Sequence, residues 1–306
     1  MIIVKLIGGL GNQMFQYAVG RRISLHYGFK LKLDLSSFED GSKNITETPR
    51  DYALKYFNIK AGIASKLEID KFKQNSIDIE DLKKNDLTFV LNFFKKKYIK
   101  ENEFNFNSLI LSIKNNVYID GYWQSEDYFK DISNKIKKEI SLKKEYLFDD
   151  KNILDKISGS NSISIHIRRG DYVGNSETNK FHGTCPLSYY KNGIDYIVNN
   201  TKEKPHLFIF SDDAEWVKNN LKGDFQITYV ADYKLKDYEE LIVMSKCKHN
   251  IIANSSFSWW GAWLNENKNK IVVAPSRWFA IEGLDTPERI PGSWHKIDTT
   301  LNVENN

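Results

Sequence analysis

The chain has 306 residues, 41% hydrophobic, 13% aromatic and 27% charged, which is too apolar for a disordered chain and long enough to expect two lobes with a cleft between them. Its formal net charge of +4, with a pI near 8.7, falls short of the basic footprint of a nucleic-acid binder but favours an anionic small molecule or an anionic membrane surface. Two cysteines, Cys185 and Cys247, show no C-x-x-C spacing, so neither a disulfide framework nor a cysteine zinc site is indicated and a reducing cytoplasm fits.

The opening apolar run breaks after Ile7, too short for a signal-peptide core or a membrane span, and reads as a buried first strand, Ile2–Ile7. Glycines then lead into a helix over Asn12–Tyr27, followed by a strand at Leu31–Leu35. From Ala53 to Asn116 the strand signal thins, and a Lys-rich stretch reads as helical or irregular decoration on the first lobe. A strand at Val117–Asp120 and a helix over Glu126–Ile140 follow, and the polar stretch Lys143–Asn161 marks the lobe boundary, giving lobes 1–158 and 159–306. Beyond it, strands are expected at Ser162–Ile167, His206–Phe210, Gln226–Val230, Asn250–Ala253 and Ile271–Ala274. Helices at Pro186–Asn199, Ala214–Leu221 and Tyr238–Cys247 alternate with them, which is the signature of an α/β protein with mostly parallel sheet.

Four motifs sit where strands end. In SISIHIRRGDY, Ser162 to Tyr172, a β-branched strand runs directly into Arg168, Arg169, Gly170 and Asp171. The carboxyl end of a parallel strand is where open sheets bind ligands, and a guanidinium fork can grip two phosphate oxygens, so the natural ligand is a diphosphate. A solvated Arg-Arg pair with Asp171 as a salt-bridged turn residue would explain the same letters. In IGGLGNQMFQ, Ile7 to Gln16, the glycines Gly9 and Gly11 and the polar pair Asn12 and Gln13 open a helix whose backbone amides suit an anion. Met14 stands where a dinucleotide fingerprint would have its third glycine. In LFIFSDDAEWV, Leu207 to Val217, Asp212 and Asp213 invite a metal reading, but Ser-Asp-Asp is also what a helix N-terminus needs for capping. In HNIIANSSFSWWGAWL, His249 to Leu264, Ser255 and Ser256 are placed to close the far side of a phosphate site, whereas Trp259, Trp260 and Trp263 read as core. YIDGYWQSEDYF, Tyr118 to Phe129, leaves its strand with Asp120, Trp123 and Gln124 expected in the open, a mixture suited to stacking on a sugar. His182 and His249 have no partner at metal-ligand spacing, so no metal is assigned to either.

GGLGNQMFQYA, DGYWQSEDYF, HIRRGDY, FSDD and NSSFSWWGAWL in that order resemble the bacterial α-1,2-fucosyltransferases, relatives of the protein O-fucosyltransferases and α-1,6-fucosyltransferases. The resemblance runs from Ile7 to about Leu264. It implies a GT-B-like fold, two Rossmann-like lobes facing a central cleft, with GDP-fucose held mainly by the second lobe and a galactose-containing glycan entering from the first. It further implies inversion at the anomeric carbon with no metal or other cofactor. By the same resemblance Arg168 binds the β-phosphate and stabilises departing GDP, and His166, Arg169 and Asp171 build the donor site. Ser255 and Ser256 touch the diphosphate, Asn12 lies near the fucose and acceptor hydroxyl, and Glu239 or Glu240 stands where the family carries an acid that reads the nucleoside. The general base stays open among Asp171, Glu177 and His182. Asp120, Trp123, Gln124 and His182 are the acceptor-side candidates.

Two other readings compete: a metal-dependent sugar or nucleotidyl transferase using Asp212 and Asp213, and a non-catalytic glycan-binding protein. No nucleic-acid partner is expected. The basic segment FFKKKYIK, Phe93 to Lys100, with the lysines around Lys135 to Lys144, reads as a solvated helical face that keeps the protein in solution, the commoner fate of lysine runs, or as a surface for loose attachment to the anionic inner face of a membrane. The tail beyond Pro275 is expected to pack back on the first lobe.

Overall fold

In a computed structural model that describes residues 1–39, 50–73 and 97–303, the opening apolar run is β1 (Ile2–Lys5), followed by α1 (Leu10–Tyr27) and β2 (Leu31–Asp34). Gly28, with φ of 69°, ends α1 in the left-handed conformation that only glycine adopts without cost. Next come α2 (Ser36–Glu39), β3 (Gly62–Ile63), α3 (Lys66–Lys73), β4 (Tyr98–Lys100), β5 (Val117–Asp120) and α4 (Ser133–Glu139). The strands form one parallel sheet ordered β3-β2-β1-β5-β4, with Ile3 opposite both Lys32 and Tyr118. These elements make the first of two compact units, Met1–Lys143.

Two expectations need correction in this unit. The stretch from Ala53 to Asn116 contributes two strands, β3 and β4, not decoration alone. They escaped notice because two or three residues are too few to show a period. The expected helix Glu126–Ile140 is broken into two 3-10 turns, Glu126–Tyr128 and Lys130–Ile132, before α4. Between the turns Phe129 adopts φ of −144°, and its ring is fully buried, 6.1 Å from that of Phe15. Burying a phenylalanine gains about 1.5–3 kcal/mol, more than one interrupted helical turn costs.

The second unit, Lys144–Asn306, begins with α5 (Lys151–Ser158), β6 (Asn161–Ile167), α6 (Gly170–Gly174), α7 (Ser176–His182) and α8 (Leu187–Thr201). It continues with β7 (Pro205–Ser211), α9 (Ala214–Asn220), β8 (Gln226–Tyr229), α10 (Asp237–Lys246) and β9 (His249–Ile251). It closes with α11 (Ser256–Leu264), β10 (Val272–Pro275) and β11 (His295–Ile297). The sheet is parallel throughout, ordered β11-β10-β9-β6-β7-β8. Both faces are covered, and alternation along β7 shows it. Leu207 and Ile209 join Tyr189, Ile194 and Ile197 of α8 on one side, while Phe208 and Phe210 meet Ile153, Ile157, Val243 and Met244 on the other. Because α5 belongs to this second core, the division falls after Lys143 rather than at residue 158.

In the tail, β11 pairs with β10, and Thr184 and Asn302 exchange backbone hydrogen bonds of 2.8 Å within this same unit. Within the FFKKKYIK segment, Phe93 to Lys96 lie outside the described residues, and Tyr98 to Lys100 form β4. Among the described residues no helix is long and apolar enough to cross a membrane.

Candidate active site

The strand order reverses between β6 and β9, so the loops leaving those two strands part and open a crevice at the carboxyl edge of the second sheet. β6 is buried along its whole length and delivers Arg168 and Arg169 to that edge. The Arg168 guanidinium is held by two carboxylates: Asp171 in the next turn, and Asp212 from the end of β7, with Nη1 2.6 Å from Oδ2. Burial opposes its charge, but Asp212 and then Asp171 outweigh burial and the Arg168 pKa is raised. The ring of Tyr172 lies 5.4 Å from the guanidinium carbon.

The two acids of the Ser-Asp-Asp motif divide the work. Asp213 caps α9, accepting the Trp216 N–H at 3.1 Å, and accepts the Arg169 Nε–H at 3.2 Å. Asp212 accepts the Arg169 backbone N–H on Oδ1 at 2.8 Å and pairs with Arg168 through Oδ2. Gly170 makes this possible, since a Cβ there would stand 2.6 Å from Asp212 Oδ2. Arg169 itself is 9% exposed, with its guanidinium 4.0 Å over the Trp216 ring, so it fastens α6 to α9.

After β9, Asn254 is fully buried and its Nδ2 donates to the carbonyls of His182 at 3.0 Å, Trp278 at 3.1 Å and Gly183 at 3.3 Å. Its own carbonyl accepts the Tyr172 hydroxyl at 3.2 Å. One side chain and its peptide thus tie the arginine-bearing segment and the turn after α7 to the end of β9. Nothing in the sequence singled out Asn254, because the three carbonyls it serves come from distant segments. Ser255 is the N-cap of α11, yet its side chain makes no capping bond, and the first turn of α11 carries no acid. That leaves a helix N-terminus fit for an anion beside Arg168's strand. Trp259 and Trp260 are fully buried, and Trp263 is nearly so, as core.

Glu239 is spent as the capping-box partner of the Lys236 N–H, at 2.8 Å. Glu240 is half-buried: burial first, then Asp237 and Asp212, push its pKa up to about 7. His166 lies against Phe257 of α11, with rings 5.7 Å apart. Burial, only partly countered by Asp212, pulls its pKa down to about 4, so it is neutral. His182 stacks on Tyr172 at 4.6 Å between rings, and burial pulls its pKa down to about 4 as well. In both histidines Nδ1 is buried without a hydrogen-bond partner.

In the first unit the structure gathers some candidates and retires others. Asn12 and Gln124 meet, Nε2 of Gln124 donating to Oδ1 of Asn12 at 2.8 Å, beyond the carboxyl ends of β1 and β5. Gln13 is fully buried: its amide donates to the carbonyls of Gly8 and Asp51, and its oxygen accepts the Ala53 N–H. It is a latch for that loop, not a free polar group open to a donor. The glycine that the turn requires is Gly8, with φ of 74° and no room for a Cβ beside Asn12, whereas Gly9 caps α1 and Gly11 lies buried inside it. Asp120 and Trp123, expected in the open, are 7% and 3% exposed. Asp120 accepts from Lys5 at 3.1 Å and the Tyr98 hydroxyl at 2.7 Å, and Trp123 packs edge-on against Tyr128. A tryptophan so covered offers no face for a sugar. Glu101, not anticipated, accepts the backbone N–H groups of Tyr122 and Trp123 where the chain turns through φ of 54°.

The chain is similar to known glycosyltransferases. The chain is 36% identical to an α-1,2-colitosyltransferase of Escherichia coli over 97% of its own length and 99% of that protein's. It is 37% identical to the O-antigen biosynthesis glycosyltransferase WbnK of Escherichia coli, covering 90% and 94% of the two chains. A galactoside 2-α-L-fucosyltransferase of Caenorhabditis elegans is 28% identical over 50% of this chain and 44% of that one. The family described as Glycosyl transferase family 11 matches residues 55–294, most of the chain and the whole carboxyl edge just described. The chain belongs to glycosyl transferase family 11.

Proposed function

We propose that this enzyme transfers L-fucose, or its 3-deoxy form colitose, from a GDP-linked donor to the 2-hydroxyl of a terminal galactoside, inverting the anomeric carbon without a metal ion. The observation that carries the reading is Arg168, delivered by β6 to the reversal point of a parallel sheet and flanked by the uncapped N-terminus of α11. A guanidinium and a helix terminus together suit a diphosphate. As the acceptor hydroxyl oxygen bonds to the anomeric carbon, its proton passes to a base or to water, the bond from that carbon to the β-phosphate oxygen breaks, and the electron pair of that bond leaves with GDP. Arg168 stabilises that charge where other transferases use a divalent ion. Asp171 and Asp212 orient the guanidinium, Ser255 and Ser256 face the phosphates, and Glu240 addresses the nucleoside. Asn12 and Gln124 form the acceptor-side pair. Two buried free thiols, Cys185 and Cys247, fit a cytoplasmic setting.

Colitose ranks beside fucose as the donor sugar because a relative covering nearly the whole chain is an α-1,2-colitosyltransferase. The test is a transfer screen with GDP-fucose and GDP-colitose over a panel of β-galactosides in excess EDTA, with product linkage determined by NMR. An α-1,2-linked product from either donor supports the reading. Activity that vanishes in EDTA and returns with Mn²⁺ or Mg²⁺ would transfer the case to a metal-dependent enzyme using Asp212 and Asp213. Absence of any GDP affinity would leave only a glycan-binding role.

A further inference from the structure

Carboxylates hold the Arg168 guanidinium at its two terminal nitrogens. Ion pairs placed there do not stop the group from tilting about the line that joins those nitrogens. A contact of another kind does: the Tyr172 ring, 5.4 Å from the guanidinium carbon, lies within the roughly 6 Å over which a ring face attracts a cation. Tyr172 is itself well fixed. Its hydroxyl donates to the Asn254 carbonyl at 3.2 Å, its backbone carbonyl accepts from Asn179 Nδ2 at 2.6 Å, and its ring lies on that of His182, 4.6 Å between centroids and 8° from parallel.

His182 is gripped in turn by rings, with Phe181 edge-on at 4.8 Å and Phe279 tilted at 5.7 Å. Its carbonyl accepts from Asn254 Nδ2 at 3.0 Å, so the buried asparagine at the end of β9 seats both members of the stack. A histidine kept for proton transfer needs a hydrogen-bonded ring and a pKa near the working pH. In His182 the Nδ1 atom is buried without a hydrogen-bond partner, and burial pulls the pKa down to about 4. Both facts suit a ring used for its flat face.

We propose that Tyr172 and His182 are positioning residues: their ring stack, seated by Asn254, sets the plane of the Arg168 fork against the departing diphosphate, and His182 serves through its ring face and not as a proton acceptor. This rests on the donor reading above and adds two residues to it. A misset fork costs most when the charge on the leaving oxygen is greatest, so the loss should fall on kcat and spare the donor KM.

The experiment is steady-state kinetics with a β-galactoside and GDP-fucose or GDP-colitose, whichever the wild type turns over. Tyr172→Leu, Tyr172→Phe, His182→Ala and His182→Phe are each made in the wild-type and Arg168→Lys backgrounds, with Tm recorded. Tyr172→Leu and His182→Ala should lower kcat about 5- to 30-fold, the worth of one partly desolvated cation–π contact, with donor KM within about twofold. Both phenylalanine variants keep the stacked rings and should recover kcat to within about twofold of wild type. His182→Phe should also keep the wild-type pH profile, because phenylalanine supplies the face without a titrating nitrogen. In Arg168→Lys the same changes should cost less than about twofold, since no fork remains to be set. Losses that persist in full in that background overturn the proposal, as does near-native kcat in Tyr172→Leu or His182→Ala. His182→Phe no better than His182→Ala, or with a limb of the pH profile lost, overturns the ring-face role and gives His182 the proton. If the leucine or alanine variant does not fold, the phenylalanine variants decide, and a full loss of kcat in either overturns the proposal. Undiminished kcat in Arg168→Lys alone, or no turnover of either donor by the wild type, overturns the donor reading and this proposal with it.

Discussion

Replacing Gly170 by alanine probes the edge at its tightest point. The new methyl would stand 2.6 Å from Asp212 Oδ2 and 3.0 Å from its Cγ, closer than real contacts allow, so the carboxylate must move. Free surface carboxylates move cheaply, but this one is held by the Arg169 N–H and by Arg168. Losing a charge-assisted bond costs about 1.5–3 kcal/mol, and a helical glycine replaced by alanine returns about 0.5–1, for a net loss of about 1–2 kcal/mol. For a unit of 150–250 residues that lowers Tm by about 3–6 °C. Arg168 shifts with its counter-ion, so kcat should fall about 10- to 100-fold. Gly174, in the same short helix, is the control, because a Cβ there meets nothing within 4 Å, and its alanine variant should match or exceed the wild-type Tm. Differential scanning fluorimetry and a donor-turnover assay on both variants decide the matter. If Gly170→Ala melts within a degree of Gly174→Ala and turns over normally, Asp212 is not held as described.

Arg168→Lys keeps the charge but not the fork, and kcat should drop by a hundredfold or more, about 3 kcal/mol of transition-state stabilisation, with the circular dichroism spectrum unchanged. Near-native kcat would remove Arg168 from the leaving-group role. Asn254→Ala strands three buried carbonyls and should cost about 3–4 kcal/mol in urea unfolding; a loss under about 1 kcal/mol would show that it ties nothing. For Glu240 the sign follows from the raised folded pKa, about 7 against an ordinary 4.5. The folded state binds the proton more tightly, so this group's contribution is full below about pH 4.5 and is lost as pH rises toward 7. Glu240→Gln should therefore be more stable than wild type at pH 8, by something on the order of 1–3 kcal/mol, and equal to it near pH 4. Equal stability at both pH values would contradict the burial assigned to this carboxyl.

What could be read from the residue order was whatever repeats or sits at a strand end. Long buried strands such as Asn161–Ile167 and Pro205–Ser211 announce themselves by β-branched and aromatic runs, and the arginines and acids that follow them inherit their place from the strand. Burial of side chains beyond a strand end is another matter. Asp120 and Trp123 look like a sugar platform in order of residues, yet Lys5, Tyr98 and Tyr128 close over them, and Lys5 and Tyr98 come from two other strands. The burial of Gln13 is hidden for the same reason, since its partners at Asp51 and Ala53 lie far along the chain. Asn254 shows the reverse error: an ordinary letter before two serines becomes a junction only once His182, Gly183 and Trp278 are brought to it. Capping, by contrast, is local. That one acid of the pair at Asp212 and Asp213 would be a cap follows from the adjacent helix, whereas which one required the positions of both arginines.

The most direct test of the central claim is a single competition reaction: wild-type enzyme, one β-galactoside acceptor, equal GDP-fucose and GDP-colitose, and excess EDTA, with the product's anomeric configuration and linkage position read by NMR. An α-linked 6-deoxysugar on the 2-hydroxyl of galactose is expected, formed at the same rate with and without EDTA. A β-linked product, or transfer that requires added metal, would contradict it.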